Sequence, residues 1–118
     1  MSTKGTVETP GKDKIRSAIF SSNNFERREV SMFGNIIEIR QPSVAQLQTL
    51  LDTSSESKKN ASILSLIEFS YVPGTDDKVF DIADYDGLLN LPMGAWFTEF
   101  NTAWSELSDL NMEEAEGN

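Results

Sequence analysis

Pro92–Leu110 reads PMGAWFTEFNTAWSELSDL and decides the fold. Trp96, Phe97, Phe100, Ala103, Trp104, Leu107 and Leu110 recur at spacings of three and four, the signature of one broad apolar helical stripe. Thr98, Glu99, Asn101, Ser105, Glu106 and Asp109 fill the opposite side. Pro92 suits the first turn, where its missing N–H costs nothing. A helix of this length runs about 28 Å. Both tryptophans of the chain lie in it, and each large aromatic removes about 150–250 Å² from water when buried. The stripe therefore has two readings. It is a core helix, or one edge stays exposed and grips another protein through Trp96, Phe97, Phe100, Trp104 and Leu107, since aromatic anchors dominate binding hot spots.

Upstream of this helix lies a run of turn and cap chemistry. Asp81 or Asp84 can cap a short helix carrying Tyr85, Leu88 and Leu89. Lys78-Val79-Phe80 is long enough only for an extended segment. Val72-Pro73-Gly74-Thr75-Asp76-Asp77 is a turn, with Pro and Gly setting opposite backbone signs. Asn60–Tyr71, NASILSLIEFSY, predicts a helix with Ile63, Leu64, Ile67 and Tyr71 on one face, and a strand remains open near its end. Asp52–Lys59, DTSSESKK, reads as a polar loop. Ser43 is positioned to cap a helix over Val44–Leu51, whose apolar face is Val44, Leu47, Leu50 and Leu51.

Phe25–Gln41 carries the β signal. Glu29–Phe33 and Ile36–Arg40 flank Gly34-Asn35, a turn dipeptide at the centre of a hairpin. Ile37 and Ile39 share one strand face; Ile36, Glu38 and Arg40 share the other. A lone hairpin is marginal in water, so one face should pack on helices. Lys12–Phe20 predicts a short helix with Ile15, Ala18 and Ile19 on one side, stopped by Ser21–Asn24. Residues 1–11 read as a disordered tail, 12–111 as one domain, and 112–118 as an acidic tail. The expected architecture is α+β and mainly helical: an N-terminal β-hairpin packed on four or five short helices, with the long C-terminal amphipathic helix at the centre.

The 118 residues suit a single domain able to bury a core without staples. The chain has no Cys and no His, which excludes disulfides, thiolate zinc sites and histidine acid–base chemistry. No phosphate-binding glycine motif surrounds Gly94, and no catalytic triad can be assembled. The aspartates near position 81 fail the calcium-loop pattern: counted from Asp81, the third, fifth and twelfth positions are Ala83, Tyr85 and Pro92. No catalytic, metal or cofactor residues are expected. Arg27, Arg28 and Arg40 form either a small basic patch or cross-strand pairs with Glu26, Glu29 and Glu38.

The net charge of −9 is unevenly placed: residues 1–40 hold seven basic and five acidic side chains, residues 41–118 three and fourteen. An acidic surface repels nucleic-acid phosphates, so no direct nucleic-acid partner is expected. No apolar run approaches the length that spans a bilayer, so no membrane partner is expected either.

Taken together, the order of features resembles the small tail assembly chaperones of long-tailed bacteriophages and prophages. The resemblance rests on Ile37-Glu38-Ile39-Arg40 running into the Ser43-started helix, then Pro73, Gly74, Val79, Phe80, Asp84, Leu88 and Leu89 before an amphipathic terminal helix. It covers roughly residues 27–110. It implies a non-enzymatic protein of the host bacterial cytoplasm that binds the tape measure protein, with the major tail tube protein as a further partner, and leaves before the virion is complete. An exposed aromatic stripe would also favour self-association. The competing reading is an acidic phage or prophage antagonist that mimics DNA or inhibits a host protein.

Overall fold

The computed structural model describes residues 11–21 and 24–108; the expected tails and the last turn at Asp109-Leu110 fall mostly or wholly outside them. The architecture is α+β, as the sequence predicts. In chain order it runs α1 (Lys12–Ile19), β1 (Arg27–Met32), β2 (Asn35–Arg40), α2 (Val44–Ser57), α3 (Ala61–Phe69), β3 (Ser70–Tyr71), a 3-10 turn (Ile82–Asp84), α4 (Tyr85–Leu89) and α5 (Ala95–Ser108). The strands form an antiparallel sheet in the order β1-β2-β3.

The hairpin turn sits one residue earlier than its Gly-Asn dipeptide suggests. Met32 pairs with Asn35, so the two central residues are Phe33 and Gly34, with φ of 51° and 82°. Two positive φ values are what a type I′ turn requires, and Gly supplies the second at no steric cost. Phe33 is an uncommon left-handed residue. The Asn35 side-chain amide offsets this by donating to the Phe33 carbonyl at 3.1 Å, and the Phe33 ring lies 6.0 Å from that of Trp96. The predicted faces hold: Val30, Met32, Ile37 and Ile39 point into the core, and Ile36, Glu38 and Arg40 share the opposite face.

Both edges of the sheet are occupied. Along the outer edge of β1 the Ser31 backbone N–H donates to Glu99 of α5, and Arg28 pairs with Glu106 one helical stretch further on. Beyond β3 the chain turns back at residues 72–77, with Tyr71 bridging Lys78 and the Val79 N–H bonding the Ser70 carbonyl.

α2 opens on a capping box in which the Ser43 hydroxyl accepts the Gln46 N–H and the Gln46 side chain accepts the Ser43 N–H. It continues through residues 52–57, where the sequence predicts a loop. The polar side chains there do not break the helix because the Ser57 hydroxyl bonds back to the Thr53 carbonyl, four residues earlier. The break comes at Lys58, in the left-handed conformation, followed by Asn60, which caps α3. Ser43→Ala should lower stability by about 1 kcal/mol. That corresponds to about 4–8 °C in Tm for a domain of this size, read by thermal melting followed by circular dichroism.

The most enclosed element is α3 rather than the terminal helix. Ser62–Ile67 and Phe69 are all buried, so α3 has core on nearly every side. A helix apolar all round belongs in the interior, and its composition, ASILSLIEF, fits that place. α5 lies across β1 and α3 with Trp96, Phe100, Ala103, Trp104 and Leu107 inward. It begins at Ala95, not at Pro92, since the Pro92 carbonyl is taken by the Trp96 indole N–H at 2.8 Å. α1 differs from the other described α-helices: none of its residues is buried.

Candidate interaction surface

Four of the five residues expected to grip a partner are committed elsewhere. Trp96, Phe100, Trp104 and Leu107 are buried, and Phe97 is only half-buried. Trp104 is fully covered, stacked on Phe69 with ring centroids 5.0 Å apart and near Phe100 at 6.3 Å. The stripe of α5 is a core stripe, because the width that suggested a spare edge is used up by two neighbours, the sheet and α3. Of the five, Phe97 keeps the most surface, and with Trp96 it lines a small pocket beside α4.

One patch of exposed apolar surface lies at the closed end of the hairpin. Phe33 and Ile36 from the hairpin, Val72 and Val79 from the connection after β3, and the deeper Phe80 and Leu88 line an open groove of about 640 Å³. Ile36 is 51% exposed and Val79 38%. Asp84 is the charged residue in this lining, and no Lys or Arg contributes to it. Asp84 is fixed by its neighbour: its Oδ2 accepts the Asp81 N–H at 2.9 Å, while the Asp81 side chain accepts the Ala83 N–H. These aspartates are thus caps, as the sequence allows, and both stay exposed. α4 then presents Leu88 inward and Leu89 outward, and the buried Tyr85 accepts the Asn60 N–H on its hydroxyl oxygen at 2.8 Å. A second, smaller groove of about 400 Å³ lies over α2 and α3 and ends at Ile82.

The wall of the main groove formed by residues 72–79 is held by one buried carboxylate. Glu38 is 6% exposed on the sheet face opposite the helices. It accepts from the Arg40 guanidinium at 2.8 Å, from Arg27 at 3.3 Å and from the Gly74 N–H at 3.2 Å. Arg40 also reaches Asp76 at 3.0 Å, bonds the Thr75 carbonyl and lies 3.9 Å over the Tyr71 ring. Burial pushes the Glu38 carboxyl up, but the Arg40 and Gly74 hydrogen bonds and the charges of Arg27 and Arg40 outweigh it and hold it below its ordinary 4.5. The arginines are therefore ion-pair partners rather than a free basic patch, with Arg28 on Glu26 and Glu106. The sequence pairing of Glu38 with arginines was legible; its hold on Gly74, 36 positions away, was not.

Among the described residues no group of three acidic side chains is placed to hold a metal ion, and no helix is long and apolar enough to cross a membrane. Comparison of the chain with protein-family models, with curated proteins and with solved structures gives no match.

Proposed function

We propose that this protein is a non-enzymatic tail assembly chaperone of a long-tailed phage or prophage, which binds an amphipathic helix of the tape measure protein and keeps it soluble before the tail tube closes around it. The reading rests on the resemblance over residues 27–110 and on one observation above the others: the open, apolar groove at the hairpin tip, with Asp84 in its lining and no cation. A helix laid into an apolar groove is a recurrent recognition mode, anchored by residues one turn apart. The acidic surface would keep the complex soluble and favour a client helix whose polar face is basic. Tube subunits are a secondary partner, and the site of action is the host bacterial cytoplasm.

Co-expression with the tape measure protein tests this directly. The wild-type chain should bring it into the soluble fraction as a complex that survives high salt, since apolar contacts carry it. Ile36→Asp with Val79→Asp should cut recovery of that complex at least about tenfold, because charge in a desolvated pocket removes hot-spot contacts. The variant should melt close to wild type, as both side chains are substantially exposed in the free protein. An insoluble tape measure protein, or a complex indifferent to both substitutions, would refute the proposal. A DNA mimic would instead bind a basic host protein with affinity falling steeply as salt rises.

A further inference from the structure

We infer that α1 is a docking arm, which seats in the hairpin-tip groove of a second copy of this chain. α1 is a formed helix without a buried residue: Ile19 is 60% exposed, Phe20 at its end 73%, and Ile15 is exposed beside them. A helix of eight residues draws little stability from its own hydrogen bonds, and such helices normally persist by burying an apolar face. Among the described residues that face has nothing to bury against.

The charges match the groove. Lys12 and Arg16 flank the Ile15–Ile19 face of α1 on one edge and Lys14 on the other, with Asp13 as the helix's one acid. The groove is apolar, with Asp84 in its lining and the exposed Asp81 bonded to Asp84. The hairpin side of the groove is uncharged and Asp84 on its other side is acidic, so arm and groove are complementary in hydrophobicity and in sign.

The connection to the body places the contact between copies rather than within one. The Asn24 side chain donates to the carbonyls of Ala18 and Ile19 at 2.9 and 2.8 Å, which folds the linker back on the end of α1. Two residues later, Glu26 is clamped to Gln41 by two hydrogen bonds, one through its N–H and one through its carbonyl. Only Phe25 lies between these two anchors. α1 is thereby held at the open end of the hairpin, whereas the groove lies at the closed end, six residues of β1 away, or about 20 Å. α1 itself is about 12 Å long, so it falls short of its own groove. The groove of a neighbour has no such restriction, and a reciprocal exchange of arms closes a two-fold dimer.

A mixing experiment on the full-length chain tests the inference. Sedimentation equilibrium should show concentration-dependent dimers for wild type. Two variants should each be monomeric over the same range: Ile19→Asp with Phe20→Asp, which spoils the arm, and Ile36→Asp with Val79→Asp, which spoils the groove. Neither pair touches the core, so circular dichroism should report folded protein for both. When mixed, the arm variant supplies an intact groove and the groove variant an intact arm. One docking contact per pair is restored, and heterodimers should reappear with affinity at least about tenfold below wild type. A wild-type monomer at all concentrations would overturn the inference, as would an arm variant that still dimerises or a mixture that never associates. The arm of a second copy and a client helix would compete for this one groove, but the mixing experiment contains no client, so this inference and the proposed function can fail separately.

Discussion

Trp104→Ala should be the most damaging single substitution in the chain, at about 3–5 kcal/mol. The indole is 0% exposed between Phe69 and Phe100, so its removal leaves a large cavity and strips two ring contacts. Total stability for a domain of this kind is about 5–15 kcal/mol, so the variant should sit near the edge of unfolding. Trp104→Phe should cost much less. It keeps a ring in the stack, and the indole Nε1 it removes has no hydrogen-bond partner among the described residues. Urea unfolding of both variants checks this. A Trp104→Ala variant as stable as wild type would mean that the indole is a surface anchor after all. Phe97→Ala, at the half-buried position, should fall well short of either in cost.

The second large effect belongs to Glu38. Glu38→Ala should cost about 3 kcal/mol, since removing one member of a buried, hydrogen-bonded ion pair leaves its partner uncompensated. Arg40 retains Asp76 and the Tyr71 ring, which keeps the loss at the lower end of that range. The same residue gives the fold an acid sensitivity of known sign. Its folded-state pKa lies below the ordinary 4.5, so its contribution is complete above 4.5 and is lost as pH falls through the lower folded value. Glu38→Gln should therefore lower stability at neutral pH and flatten the decline in acid. Urea midpoints from neutral pH down to about 3 measure both, and a variant with the wild-type slope would remove Glu38 as the source. Because Glu38 holds Gly74, the substitution should also loosen the 72–79 wall of the groove.

The contrast between these two residues shows what could be read in advance. Period and capping were sufficient for the elements. Ile37 and Ile39 facing inward, Ser43 as a cap, Asp81 as a cap and the Trp96–Leu107 stripe all follow from local spacing. Misreadings arose where local chemistry had two outcomes. Ser54 and Ser57 compete with a helix in isolation, yet here their hydroxyls bond the Lys59 and Thr53 carbonyls and residues 52–57 stay helical. Gly34-Asn35 marks a hairpin, but which residue takes the first left-handed place depended on the Asn35 side chain and on Trp96, 63 positions from Phe33. The groove was the least legible feature. It is assembled from the hairpin tip, the connection after β3 and α4, none of which carries a motif for binding. What spacing could reveal was that Phe33, Val72 and Val79 are apolar residues in turn-rich segments, an unusual place for them.

The sheet edges carry a consequence for aggregation. An unpaired strand is a template on which any extended segment can be laid down, and growth from such a template has no natural end. Glu99 occupying the Ser31 amide closes one side to that process, and the return of the chain at Lys78 and Val79 closes the other. Both contacts work against fibre-like growth and leave side-chain surfaces as the easier route to any association.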